Sequence, residues 1–101
     1  MSGDRDATIL REMGYSTAEF VRVLPAAMRD WSVSGGPDTW RISTVGGDGI
    51  ATIRIEPMPE RKMGSLRLPV LAVTIDLAGA SPDQAAEFVR RFERGFHRGG
   101  G

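Results

Sequence analysis

Leu66-Arg67-Leu68-Pro69-Val70-Leu71-Ala72-Val73-Thr74-Ile75-Asp76-Leu77 is the longest apolar run in the chain, and its reading decides the fold. Its branched side chains suit a pleated, half-buried surface, so the run is expected to be the central strand of a small sheet. Leu66 and Leu68 share one parity, whereas Leu71, Val73, Ile75 and Leu77 share the other, with Pro69 at the switch. Proline within a strand belongs at an edge or a bulge, and a bulge would return both sets to one face. A bulge near Pro69 is therefore predicted.

Downstream of the run, Ser81 is placed to cap a helix, Pro82 suits the first helical position and Gln84 completes a capping box. Ala85, Phe88, Val89, Phe92 and Phe96 form an apolar stripe, with Glu87, Arg90, Arg91, Glu93 and Arg94 on the opposite, solvated side. The spacing of the three phenylalanines is that of a buried helix face. Upstream, Ser16 and Glu19 form a second capping box ahead of Phe20, Leu24, Ala27 and Met28. Pro25 predicts a kink in this helix, or its end near Val23. Between the helices, Trp31–Ser34, Thr39–Ser43 and Ile50–Glu56 alternate as strands, separated by Gly35-Gly36-Pro37-Asp38 and Gly46-Gly47-Asp48-Gly49. Pro57, Pro59 and Glu60-Arg61-Lys62 read as a loop before the apolar run. Residues 4–13 are expected to be a short helix, with Ile9, Leu10 and Met13 on one side and Gly14 as its stop, or part of a mobile arm over residues 1–14.

The predicted fold is α+β, a four-stranded antiparallel meander with two main helices on one face, in the order α-β-β-β-β-α. Length fits a single domain over all 101 residues, with 99–101 as a flexible glycine tail. Thirteen basic and thirteen acidic residues cancel, so the global field of a nonspecific nucleic-acid binder is missing. Cysteine is absent, which excludes disulfides, thiolate metal sites and thiol catalysis. Neither a secretory leader nor a membrane-length apolar run is seen, so a cytoplasmic location is the default.

Catalytic and cofactor signatures do not emerge, and neither a catalytic residue, a metal site nor a cofactor is expected. His97 is the single histidine, without a nucleophile or further ligands at recognisable spacing. Asp76 falls on the solvent-facing parity of its strand, and Asp48 lies in a glycine turn that lacks the lysine of a phosphate loop. The stronger signal is a register. With Ile42 opposite Ile53 and Trp40 opposite Ile55, Arg41 faces Arg54; with Ile55 opposite Leu66, Arg67 comes beside Arg54. Arg41, Arg54 and Arg67 would then form a row on the face away from the helices. Like charges placed so cost stability, and arginine suits anions, nucleic acid or an acidic partner.

The ending Phe92-Glu93-Arg94-Gly95-Phe96-His97-Arg98-Gly99-Gly100-Gly101, after Leu68-Pro69-Val70, resembles a group of small uncharacterised bacterial proteins, which implies no activity. Gly100-Gly101 is also similar to the diglycine ends of ubiquitin-like modifiers and sulfur carriers, which implies a carboxylate that an activating enzyme adenylates. In those families a strand leads to the tail, whereas here a helix is predicted to do so. The function expected from these readings is a small non-enzymatic interaction module. It would act through the open sheet face, as a homodimer or with another protein partner. The alternatives are a Gly-Gly carrier or modifier, and anion or nucleic-acid binding through the arginine row.

Overall fold

The structure, a computed structural model, describes residues 7–97. Strand β1 (Thr8–Met13) leads to helix α1 (Thr17–Met28), strands β2 (Ser32–Gly35), β3 (Thr39–Ser43), β4 (Gly49–Met63) and β5 (Leu66–Asp76), and helix α2 (Pro82–Gly95). The class is α+β as expected, but the antiparallel sheet has five strands in the order β1-β5-β4-β3-β2, not four. β4 is the middle strand. A four-stranded meander would have left β5 at an edge; β1 pairs along its other side and makes it interior.

The added strand replaces the helix expected over residues 4–13, of which residues 4–6 lie outside the described ones. Ile9 and Met13 are four apart, a spacing that satisfies both a helical face and a strand face. Leu10 breaks the tie: a helix would bury it, whereas the strand turns it outward at 74% exposure. Ile9, Arg11 and Met13 share the inner face with their partners Ile75, Val73 and Leu71. The unpaired edge of β5 offers the backbone six residues of partners, and that outweighs a short terminal helix.

Both helices lie over this inner face. Trp40, Ile53, Ile75 and Ile9 are register partners across it, and Trp40 packs on Phe20 of α1 at 5.8 Å between ring centres. Arg11, on the same face of β1, forms an ion pair with Glu93 of α2. Both capping boxes form as read, at Ser16 with Glu19 and Ser81 with Gln84. α1 runs on through Pro25 to Met28 rather than ending at Val23. The stripe of α2 is core: Phe88, Phe92 and Phe96 are buried, and Phe20 stacks on Phe96 at 4.7 Å. Gly95 permits the close crossing of the helices, since a Cβ there would stand 2.2 Å from Ala27 Cβ and 2.8 Å from its Cα.

β4 and β5 run past the rest of the sheet. β3 pairs only as far as Arg54 and β1 only as far as Leu71, so Pro57–Met63 and Leu66–Val70 project as a two-stranded arm, turned at Gly64. Fifteen residues at about 3.3 Å each match the longest dimension of the molecule, 47 Å. The loop expected over residues 57–62 is therefore strand. Alternation explains how two prolines fit there. Ile55 donates its N–H toward β3, to Asp38 O at 2.9 Å, so the nitrogen of Pro57 points to that same side, beyond the end of β3. No ladder bond is lost at such a position.

Two comparisons separate core from arm. Leu71→Ala is expected to cost about 3 kcal/mol in chemical unfolding, and Leu66→Ala less than about 0.5 kcal/mol. Equal costs would place Leu66 in the core. Gly95→Ala, which forces the helices apart, is expected to cost about 2 kcal/mol, roughly 10 °C in Tm.

Candidate functional site

The site is the arm, and the side-chain alternation builds it. Along β5, Leu71, Val73 and Ile75 point into the core, so Leu66, Leu68 and Val70 point to the other face. Along β4, Ala51, Ile53 and Ile55 are buried, and Met58 falls on the opposite parity. Both strands thus switch their apolar side as they leave the sheet. The phase change seen at Pro69 is real, but the bulge does not cancel it. The extra residue is on β4: Met58 pairs with Val70 and Arg61 with Leu68, leaving Pro59 and Glu60 opposite Pro69 alone. Without that residue Lys62 would face Leu66. With it, Met63 pairs with Leu66 and Lys62 with Arg67.

One face of the arm is consequently apolar. Met58, Met63, Leu66 and Leu68 are 39–64% exposed on it, with Val70 beside them. Scattered exposed apolar residues are ordinary; a contiguous group rimmed by charge marks a contact surface. Arg61 reaches from this face to Glu12 of β1 at 3.4 Å, fixing the base of the arm. The opposite face carries Lys62 and Arg67, the latter 4.0 Å from Glu60.

The arm's edges are less inviting than its face. Leu77 donates its N–H toward β1, to Ala7 O, so by alternation the nitrogen of Pro69 points to the β1 side, beyond Met13. Pro57 and Pro69 therefore remove a donor from each outer edge, which opposes addition of a further strand. Beside the arm lies a cleft of about 460 Å³ between Met13, Tyr15, Leu68 and Phe96, with His97 and the Arg11–Glu93 pair at its rim. Tyr15 donates from its hydroxyl to Phe96 O at 2.9 Å.

The arginine row does not form. Arg41 pairs with Thr52 and Trp40 with Ile53, two residues from the expected register, so Arg41 and Arg54 are diagonal neighbours on the open face. The hairpin slips further. Ile55 pairs with Val73 rather than Leu66, and Arg54 with Thr74. Arg67 lies seven residues farther along β5, about 23 Å away, and on the other face. The long apolar run pairs continuously with β4, and that pairing, not the matching of isoleucines, sets the register. The Gly100 and Gly101 tail lies outside the described residues; the last element before it is α2.

Asp76 Oδ1 accepts the N–H of Ala78 at 2.9 Å in the turn after β5, and Asp48 Oδ2 accepts from Gln84 Nε2 at 3.4 Å, which ties the β3–β4 turn to α2. Among the described residues no polar or charged side chain is buried, and no group of three His, Asp or Glu is arranged to hold a metal. Nor is any helix among them long and apolar enough to cross a membrane.

Displaced titration is found at the helix junction instead. Arg91, assigned to the solvated side from the sequence, is only 16% exposed in its side chain. It donates to Glu87 at 2.8 Å, Asp30 at 2.9 Å and Met28 O at 2.6 Å, and its guanidinium lies 3.9 Å from the centre of the Trp31 ring. The hydrogen bond from Arg91 holds Asp30 below its ordinary 3.8. Those from Arg91 and Arg90 hold Glu87 below 4.5.

No protein-family model matches this chain, and neither the curated proteins nor the solved structures contain a significant match. The functional reading rests on the geometry.

Because both carboxyls titrate lower in the folded chain, their stabilisation is complete above the ordinary values and is lost as pH falls through the depressed ones. Tm is expected to fall between about pH 5 and pH 3, and more shallowly in Glu87→Gln, which has no proton to take up there. Parallel curves in a thermal melt series would contradict this.

Proposed function

We propose that this chain is a small non-enzymatic interaction module that presents the β4–β5 arm to a protein partner. The observation that carries the reading is the joint switch of both strands' apolar side at the base of the arm. A strand pair needing only to fold would keep its apolar residues on the core side, and an isolated two-stranded ribbon is marginal in water. The bulge opposite Pro69 works to the same end, bringing Met63 rather than Lys62 beside Leu66. The sheet's open face, on which the sequence reading relied, is polar around Arg41, Arg54, Thr52 and Thr74, so the arm is the better anchor. Arg41 and Arg54 remain neighbours but Arg67 stands apart from them, so the three-arginine row offered for anion or nucleic-acid binding lends less weight than the arm.

A photo-crosslinking side chain at Leu66, compared with one at the somewhat more exposed loop residue Val45, tests this in native host cells. Discrete adducts are expected from position 66 and not from 45. Equal or absent adducts at both would overturn the reading.

A further inference from the structure

We propose that the crossing of α1 and α2 binds a phosphoryl group, held by Arg29 at the end of α1 and by Arg91 and Arg94 of α2. Beside the close contact of Gly95 with Ala27 lies a groove of about 190 Å³. Its lining is those three arginines over a floor of small residues, Ala26, Ala27 and Gly95. The fold does not use up their charge. Both nearby carboxylates, Glu87 and Asp30, accept from Arg91. Among the described residues neither Arg29 nor Arg94 makes an ion pair or a side-chain hydrogen bond, and Arg91 Nη2 has no acceptor. Like charges gathered on a chain of zero net charge repel one another unless an anion sits among them. Arg29 carries a second cost. It turns the chain out of α1 with φ +61° and ψ −114°, a backbone conformation that a Cβ resists and where glycine is the ordinary residue. An arginine there strains the fold, and what it adds is a guanidinium on the groove. Arg91, by contrast, is already fixed by Trp31, Glu87, Asp30 and the Met28 carbonyl, so one fork stands in place before a ligand arrives. Three guanidiniums from two helices suit a tetrahedral group with three or more acceptor oxygens. A carboxylate offers only two, in one plane.

Titration of the full chain with inorganic phosphate at constant ionic strength, followed by arginine Nε–H and backbone amide NMR shifts, tests the proposal. Saturable shifts are expected at Arg29, Arg91, Arg94 and Gly95, with a Kd of about 1 mM or below, and acetate is expected to bind roughly tenfold more weakly or worse. Arg29→Gln and Arg94→Gln are each expected to weaken phosphate binding roughly tenfold. Arg54→Gln, which removes an arginine from the open sheet face, is expected to leave it unchanged. Arg91 is kept, because its loss would open the helix junction. Ala26→Glu sets a carboxylate in the groove without touching an arginine, and is expected to abolish the shifts. Arg29→Gly separates ligand binding from folding: Tm is expected to rise by roughly 4 °C while phosphate binding falls as in Arg29→Gln. Shifts that do not saturate by about 20 mM phosphate overturn the proposal. So does phosphate binding that survives Arg29→Gln, Arg94→Gln and Ala26→Glu, or that acetate equals.

Discussion

Everything about the arm depends on one constraint, the two-residue alternation of a paired strand. Side chains of a strand can change face only where the chain gains or loses a residue in the ladder. β5 gains none between Leu66 and Asp76, so its sequence, whose apolar residues change parity at Pro69, must present Leu66, Leu68 and Val70 away from the core that holds Leu71, Val73 and Ile75. β4 gains one, at Pro59-Glu60, and that residue brings its distal side chains into step with those of β5. The prolines complete the arrangement. They occupy positions whose nitrogens need no partner, and their lack of a donor keeps the edges from recruiting strands.

The remainder of the molecule holds this ribbon in place. β1 and β3 flank β5 and β4 and stop short of the arm, which defines its base. Phe20, Phe88, Phe92 and Phe96 cover the inner face, and the close crossing at Gly95 and Ala27 sets how near the helices lie. Arg91 ties the end of α1 to α2 through Glu87, Asp30 and the Met28 carbonyl, while its flat guanidinium covers Trp31. A lysine could supply the charge there but not the planar fork. The Arg61–Glu12 and Arg11–Glu93 pairs fasten β1, the strand farthest in sequence from its partner.

What the sequence made legible was local. The two capping boxes, the phenylalanine stripe and the turns at the glycine clusters carry their signal within a few residues, and each formed as read. The parity change at Pro69 was also visible, but its meaning was not. A bulge on β5 would have hidden Leu66 and Leu68, and only the pairing with β4 shows the extra residue to be on the other strand. The expected arginine row failed for a related reason. Matching Ile42 with Ile53 and Ile55 with Leu66 is locally sensible, yet a register is fixed by the whole ladder, here by the long β4–β5 pairing. β1 was missed because Ile9 and Met13 satisfy both periods, and only the vacant edge of β5, a nonlocal fact, decides between them. Gly95 and Arg91 looked ordinary on a helical wheel because their importance comes from α1.

The measurement that tests the central claim most directly is side-chain methyl NMR on the dilute protein, with nuclear Overhauser contacts assigned for Leu66, Met63 and Leu71. The account expects Leu66 methyls to contact Met63 across the ladder and to share no contact with Leu71 or Phe92. Contacts from Leu66 to Leu71 or to the α2 phenylalanines would mean that the apolar residues keep one face throughout, and the arm as described would not exist.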